Sequence, residues 1–426
     1  ADWLAFAKKL ELTNDDFVRT TQPRHKEFVQ ATLAKLNAAG HFYKAGYTGF
    51  YSAKEETFLT EKDRLPDGKF DASYGEVVEL KEDNYYFRLG AHQHWLIDYI
   101  EANPDFISPS YRRNEVLGFL KNNTLEDLCI SRPVARLNWG IPLPFDPEFV
   151  TYVWFDALVN YASIAAAHQP LRLWPADIHV IGKDIVKFHA VYWPVMLKAM
   201  GLPLPKQILV HGWWQKDGAK ISKSTGNVVD PIAVIDEWGL DAFRFYVLRE
   251  LDIGPDGNWT DVGFKSRYQA ELANGLGNLV NRSLSMLKRY RNGIVPTKSN
   301  ELAADAAKAA DETRALFKQS QLQSALQSIW ELVNRANKYV DETAPFKLAK
   351  DPAQAQRLDE VLYNLAETCR VLAVLLWPFL PGTATKIYAQ LGLQGSPDKI
   401  DAAIWGGLPS GHAIGEPTPL FPRKDI

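Results

Sequence analysis

From Ile130 to His211 short apolar runs rich in β-branched and aromatic residues alternate with longer runs of helical period, and no other feature constrains the fold as strongly. Val150 to Phe155 reads as a strand leading into an alanine-rich helix over 157–167. Ile178 to Ile181 reads as a second strand leading into a helix over 185–200, and Ile208 to His211 as a third, followed by a polar loop from Gln215 to Asn227. Strands joined by crossover helices make a parallel sheet, and ligands gather at the carboxyl ends of its strands. After Asp230-Pro231 the texture changes: the runs 232–250, 261–291, 301–319, 321–343, 354–376 and 382–391 all have helical period. The expected fold class is α/β plus α, a parallel Rossmann-like sheet followed by a helical bundle.

The chain before Ile130 fits around that frame. Residues 1–40 read as helices, with Trp3, Phe6, Ala7 and Leu10 at helical spacing and Gly40 closing the second run. Residues 41–88 read as short strands, with turns at Asp67-Gly68 and Tyr74-Gly75. Helices follow from His94 to Ala102 and from near Arg112. Arg291 to Pro296 reads as a linker, and the Pro/Gly-rich tail from 406 as an irregular end.

Composition excludes several classes. Hydrophobic residues make up 46% and charged residues 23%, which is a globular balance rather than a disordered or fibrous one. The longest apolar run, Val371 to Trp377, is far too short to span a bilayer. Cys129 and Cys369 are the only cysteines, so neither a disulfide framework nor a four-cysteine zinc site is available and reduced thiols are expected. The formal charge of -3 gives no global attraction for polyanions, so nucleic-acid contact would need local basic patches.

The sharpest local feature is Gly218-Ala-Lys-Ile-Ser-Lys-Ser-Thr-Gly-Asn227. Lys220 and Lys223, with Ser222 and Ser224 beside them and glycines flanking, make a loop of donors suited to a leaving pyrophosphate. An exposed Lys/Ser loop is the plainer alternative. Lys220-Ile-Ser-Lys-Ser224 resembles the second signature of the class I aminoacyl-tRNA synthetases. Trp139-Gly-Ile-Pro-Leu-Pro144, Tyr152-Val-Trp-Phe-Asp-Ala157, His179-Val-Ile-Gly-Lys-Asp-Ile185 and His189-x-x-x-Trp193-Pro194 resemble, in order, segments of the methionyl-tRNA synthetase family. The resemblance runs from about Asp16 to near Pro381.

That resemblance implies a two-step reaction. Methionine is activated with ATP, accompanied by Mg2+, and then passed to the 3′ end of tRNA(Met), with Lys220 and Lys223 as the catalytic cations. Trp154, Ala157 and Tyr161 fall at i, i+3 and i+7, and Ile185, Phe188 and His189 at i, i+3 and i+4, so each set could face one pocket. An aromatic and aliphatic wall suits a thioether, and the resemblance assigns these residues to methionine, with His189 meeting the sulfur through Tyr161. Asp184 is a cap or a carboxylate at the pocket lip. By the same resemblance His211, Gly212, Trp213 and Trp214 border adenine and ribose, together with the Lys220, Ser222, Lys223 and Ser224 loop.

A third constellation is Asn274, Asn278 and Arg282, spaced i, i+4, i+8 on one helix face in a segment with six cations against the single carboxylate Glu271. Such side chains read splayed single-stranded bases, although a solvated helix face has the same composition. The resemblance makes them anticodon readers, with Phe346 after Pro345 as the stacking ring where the family often has tryptophan.

Domain boundaries follow: 1–40 the helical end of a first catalytic half, 41–129 an inserted connective subdomain, 130–235 the second Rossmann-like half, 236–296 stem-contact and linking helices, and 297–426 the anticodon-binding bundle, its reading helix beginning near 264. Residues 49–88 contain no cysteine where many family members bind zinc, and His92 and His94 lack further soft ligands, so neither structural zinc nor any other metal is expected. The first family signature, His-Ile-Gly-His, occurs nowhere in the sequence. The expectation is that roughly 80 to 90 residues carrying it precede Ala1, since one βαβ unit alone takes about 30. A monomer in the cytoplasm or an organellar matrix, with no membrane partner, is expected. A truncated relative that only binds tRNA or a protein partner is the alternative, and retention of the lysine loop and of the whole pocket weighs against it.

Overall fold

The computed structural model describes residues 2–52, 57–59, 64–168, 173–221 and 226–424. The chain divides into two compact units, Asn14–His211 and Ala1–Thr13 with Gly212–Ile426.

In Asn14–His211 the helix Pro23–Ala38 opens on Pro23, whose fixed φ suits the first helical position, and buries Val29, Leu33 and Leu36. Gly40, at φ +77°, turns the chain into the strands. These are longer than the sequence suggests: Phe42–Ser52 and Val77–Phe87 pair antiparallel along their full length, from Phe42 opposite Phe87 to Ser52 opposite Val77. Frequent polar and glycine residues mask the alternation there, and ladder pairing overrides the weak local propensity. Helices Gln93–Ala102 and Ser110–Asn122 follow close to their expected positions.

The parallel sheet has three strands in the order Ile107–Ser108, Gln207–His211, Ile178–Gly182. The strand expected at Val150–Phe155 is corrected in place and partner. It runs over Asp146–Thr151 and lies antiparallel between Ser131–Pro133 and Pro142–Leu143. The helix behind it begins at Val153 rather than Ala157, because Phe155, Leu158, Val159 and Ala162 bury one helical face and packing outweighs the β propensity of Val153-Trp-Phe. The run expected as one helix over 185–200 begins as a 3-10 turn, Lys183–Ile185, widens into a π turn, Phe188–Tyr192, and ends as the α-helix Trp193–Met200. Pro194 has no N–H for an α-helical bond, and the wider turn before it relieves that.

In the other unit, part of the expected polar loop is a β-hairpin. Trp214–Lys216 pairs with Ala219–Lys220 through Asp217 and Gly218, both at positive φ as a type I′ turn requires. The strand Gly257–Trp259, which no sequence pattern marks, joins Trp214–Lys216 in parallel. The expected 232–250 helix is two, Pro231–Trp238 and Leu240–Arg249, parted at Gly239 with φ +90°. Helices Ala303–Lys318, Leu322–Thr343, Ala355–Leu376 and Pro381–Gln390 then pack on the 261–291 run around one core that extends from Ala242 to Phe421. Arg291–Pro296 is no loose linker: Val295 is buried and its N–H donates to the His412 carbonyl at 2.8 Å. Cys129 and Cys369 are both free thiols, and burial pushes the Cys369 thiol up to about 12. Among the described residues no helix is long and apolar enough to cross a membrane.

Candidate functional site

The helix Val153–Ala167 turns Phe155, Leu158, Val159 and Ala162 into the core and leaves Trp154, Ala157 and Tyr161 half-buried along its flank. Past the parallel strand Ile178–Gly182, the 3-10 and π turns bring Ile185, Phe188 and His189 against the same core. The two sets meet. Trp154 and Phe188 stack face to face with centroids 3.5 Å apart and planes 8° from parallel. Tyr161 Oη lies 2.7 Å from His189 Nε2, and His189 Nδ1 lies 3.0 Å from the Ile185 carbonyl. A carbonyl only accepts, so Nδ1 carries the proton, Nε2 is the acceptor, and the Tyr161 hydroxyl donates to it. Burial lowers the His189 pKa, opposed by its bond to Ile185, and raises that of Tyr161. The wall therefore ends in a neutral imidazole–phenol pair.

His179, which the sequence reading passes over, belongs to this group. It is buried, its ring is 4.3 Å from that of Tyr161, and its Nε2 accepts from the Trp193 indole N–H at 3.1 Å. Burial, helped by neighbouring His189, holds its pKa down to about 4. The signal was present: in the strand Ile178–Gly182 alternation sends Ile178 and Val180 outward and His179 and Ile181 inward. A second unforeseen group braces the wall from behind. Fully buried His25 lies 3.0 Å from Ser163 Oγ through Nδ1 and pairs with Asp156 through Nε2.

At the carboxyl end of the parallel strands Gly182 leaves room for two functional groups. A Cβ there would stand 2.6 Å from Asp184 Oδ1 and 3.7 Å from His211 Cε1. Exposed Asp184 thus sits at the sheet's carboxyl edge beside His211. In the other unit the Cβ position of Gly212 is filled by the Pro255 carbonyl, so this glycine does permit a close backbone approach, made by the chain itself. The Trp213 N–H donates to Asp256 at 2.9 Å and the Trp213 ring is 40% exposed. The Trp214 ring packs towards Tyr246 and Trp259, and its backbone pairs with Gly257. Lys220 ends the hairpin strand Ala219–Lys220. Its side chain, with Ser222, Lys223 and Ser224, lies outside the described residues.

The polar helix face is in the same unit. Asn274 is exposed, Asn278 half-buried, and Arg282 lies 3.5 Å from Asp341. Ala344 turns the chain at φ 42°, Pro345 is buried, and Phe346 stands 45% exposed. The helix is not uniformly α, however: Asp261–Arg267 and Asn278–Arg291 are α-helical and Tyr268–Gly277 between them is π-helical. The i, i+4, i+8 spacing is therefore not carried on a continuous α period at Asn274. Among the described residues no group of three or more His, Cys, Asp or Glu side chains is placed to hold a metal ion.

Comparison with known proteins shows the family to which the chain belongs. Residues 3–79 and 64–284 match the family model described as tRNA synthetases class I (M), and residues 291–425 match the anticodon binding domain of methionyl tRNA ligase. The chain is 42% identical over 430 residues to a methionine–tRNA ligase of Caldanaerobacter subterraneus, covering 98% of this chain and 67% of that protein. It is 41% identical over 448 residues to the methionine–tRNA ligase of Bacillus subtilis, covering 100% and 67%. Its fold matches a crystal structure of Mycobacterium tuberculosis methionyl-tRNA synthetase bound by methionyl-adenylate, with TM-score 0.90 and 37% identity over 99% of this chain and 85% of that one.

Proposed function

We propose, since this chain belongs to the methionyl-tRNA synthetase family of class I, that it activates methionine with ATP and transfers the methionyl group to the 3′ end of tRNA(Met). The observation that carries the methionine assignment is the stacked Trp154–Phe188 pair beside the neutral Tyr161–His189 bond. A thioether packs well against ring edges and brings no strong hydrogen-bonding group of its own. The two histidine–tyrosine partners already use each other, so the pocket end has no unmet donor to reward a hydroxyl or an amide. A charged side chain would meet a desolvated site with no counter-charge, which is the stronger discrimination.

On this reading Asp184, at the sheet's carboxyl edge, borders the amino-acid end of the substrate. His211 and the backbone of Gly212, Trp213 and Trp214 border the adenosine. The methionine carboxylate attacks the α-phosphorus of ATP, and the bond to the bridging oxygen breaks as pyrophosphate leaves. Lys220 and Lys223, with Ser222 and Ser224, neutralise the charge that develops on the departing oxygens, so catalysis is positioning and charge stabilisation without a protein nucleophile. Mg2+ enters with ATP as part of the substrate. Asn274, Asn278, Arg282 and Phe346 read the anticodon of a tRNA bound in the cytoplasm by a monomer that needs no structural zinc.

Charging assays on the full-length protein test this. Methionyl-tRNA should form with tRNA(Met), and exchange of an anticodon base should lower kcat/KM while leaving methionine-dependent adenylate formation intact. RNA binding without any adenylate formation would replace this reading with that of a non-catalytic relative.

A further inference from the structure

The π-wound segment Tyr268–Gly277 immediately precedes Asn278 and contains Asn274. At its end the Asn278 N–H reaches the Ala273 carbonyl, five residues back, as well as that of Gly275. Pairing of i with i+5 corresponds to about 4.4 residues per turn, or roughly 80° per residue, against 100° in an α-helix. Were the whole helix α, Asn274 and Arg282 would stand about 80° apart around its axis, on opposite sides of Asn278. With the turn up to Gly277 π-wound, they come to within roughly 10° of each other. The π turn brings Asn274 and Arg282 onto one line, with Asn278 roughly 35–40° to one side of both.

Two glycines permit that winding. A Cβ on Gly277 would stand 3.0 Å from the Leu272 carbonyl oxygen and one on Gly275 would stand 3.3 Å from that of Ala270, in both cases the carbonyl five residues back. The Gly275 carbonyl, which takes the Asn278 N–H, is also held from the neighbouring helix. Asn337, from the helix Leu322–Thr343, brings its Nδ2 to 3.3 Å from the Gly275 carbonyl while it holds the Val333 carbonyl at 3.1 Å.

We infer that Gly275, Gly277 and Asn337 are positioning residues for RNA recognition: they hold a π turn that lines Asn274 up with Arg282, beside Asn278, so that single-stranded bases are read by one narrow face. This rests on the anticodon reading proposed above.

The test compares charging of native tRNA(Met) with that of a tRNA carrying one altered anticodon base, using the full-length protein. Gly275→Ala, Gly277→Ala and Asn337→Leu should each reduce the ratio of the two kcat/KM values by about tenfold, the worth of one well-placed hydrogen bond. Combined with Asn274→Ala, none should reduce it further, because all act through that side chain. Asn337→Leu puts no Cβ into the helix and guards against a glycine variant that fails to fold. Loss of discrimination in Asn274→Ala but not in these three would overturn the inference alone, as would effects that multiply in the double variants. No loss in Asn274→Ala would overturn the anticodon reading and the inference with it.

Discussion

At the scale of single residues the site depends on proton bookkeeping. His189 can end an apolar wall because its two nitrogens are assigned, one to the Ile185 carbonyl and the other to Tyr161. Tyr161→Phe strands the Nε2 acceptor in a buried place, a cost of about 1–3 kcal/mol. Methionine affinity should then fall about tenfold, as read by equilibrium binding. His179 gives a pH signature. Its pKa is held down to about 4 from 6.5, so between those values the unfolded chain binds a proton that the folded one does not. Its stabilising contribution is complete above about 6.5 and is lost as the pH falls towards 4. Thermal unfolding followed across that window should show the midpoint dropping with acid, with a shallower drop in His179→Gln. Tyr161, Phe188 and His189 were legible in the sequence because helical spacing and the family resemblance pointed to the same face. His179 was missed because it sits in a strand, where alternation rather than helical period carries the message.

At the scale of elements, the sequence was most readable where one face is steadily apolar, as in Leu322–Thr343 and Ala355–Leu376. It was least readable where a backbone device decides. The Asp217-Gly218 turn makes a hairpin from a stretch that looks like a polar loop, Gly239 splits one apparent helix in two, and π winding at Tyr268–Gly277 leaves the residue pattern helical throughout. One further element owes its course to a buried charge. Glu367, fully buried, accepts from Arg370 Nε and Nη2 at 2.9 and 2.7 Å and from the N–H groups of Gly406, Gly407 and Leu408 at 2.7 to 2.9 Å. This clasp gives the irregular Pro/Gly-rich tail a fixed path over the bundle. Glu367→Ala leaves the Arg370 cation buried without its partner, which should cost about 3–5 kcal/mol. A lowered denaturation midpoint, with faster amide exchange over 404–408, is the expected result.

At the scale of the molecule, the α/β-then-α order was the first thing the sequence yielded, and it stands. Its parallel sheet is narrower than the reading implied, because the strand before Val153 pairs antiparallel elsewhere. The two compact units divide the work as proposed: Asn14–His211 holds the amino-acid wall, while the other unit carries the lysine hairpin and the RNA-facing helix. The most direct measurement of that account is ATP–pyrophosphate exchange by the full-length protein, across a panel of amino acids and with Lys223→Ala alongside. Exchange that depends on methionine, ignores leucine and glutamine, and falls at least a hundredfold in Lys223→Ala, the scale of a lost charge-stabilising donor, is the predicted result. Exchange with no preference for methionine, or none with any amino acid, would contradict it.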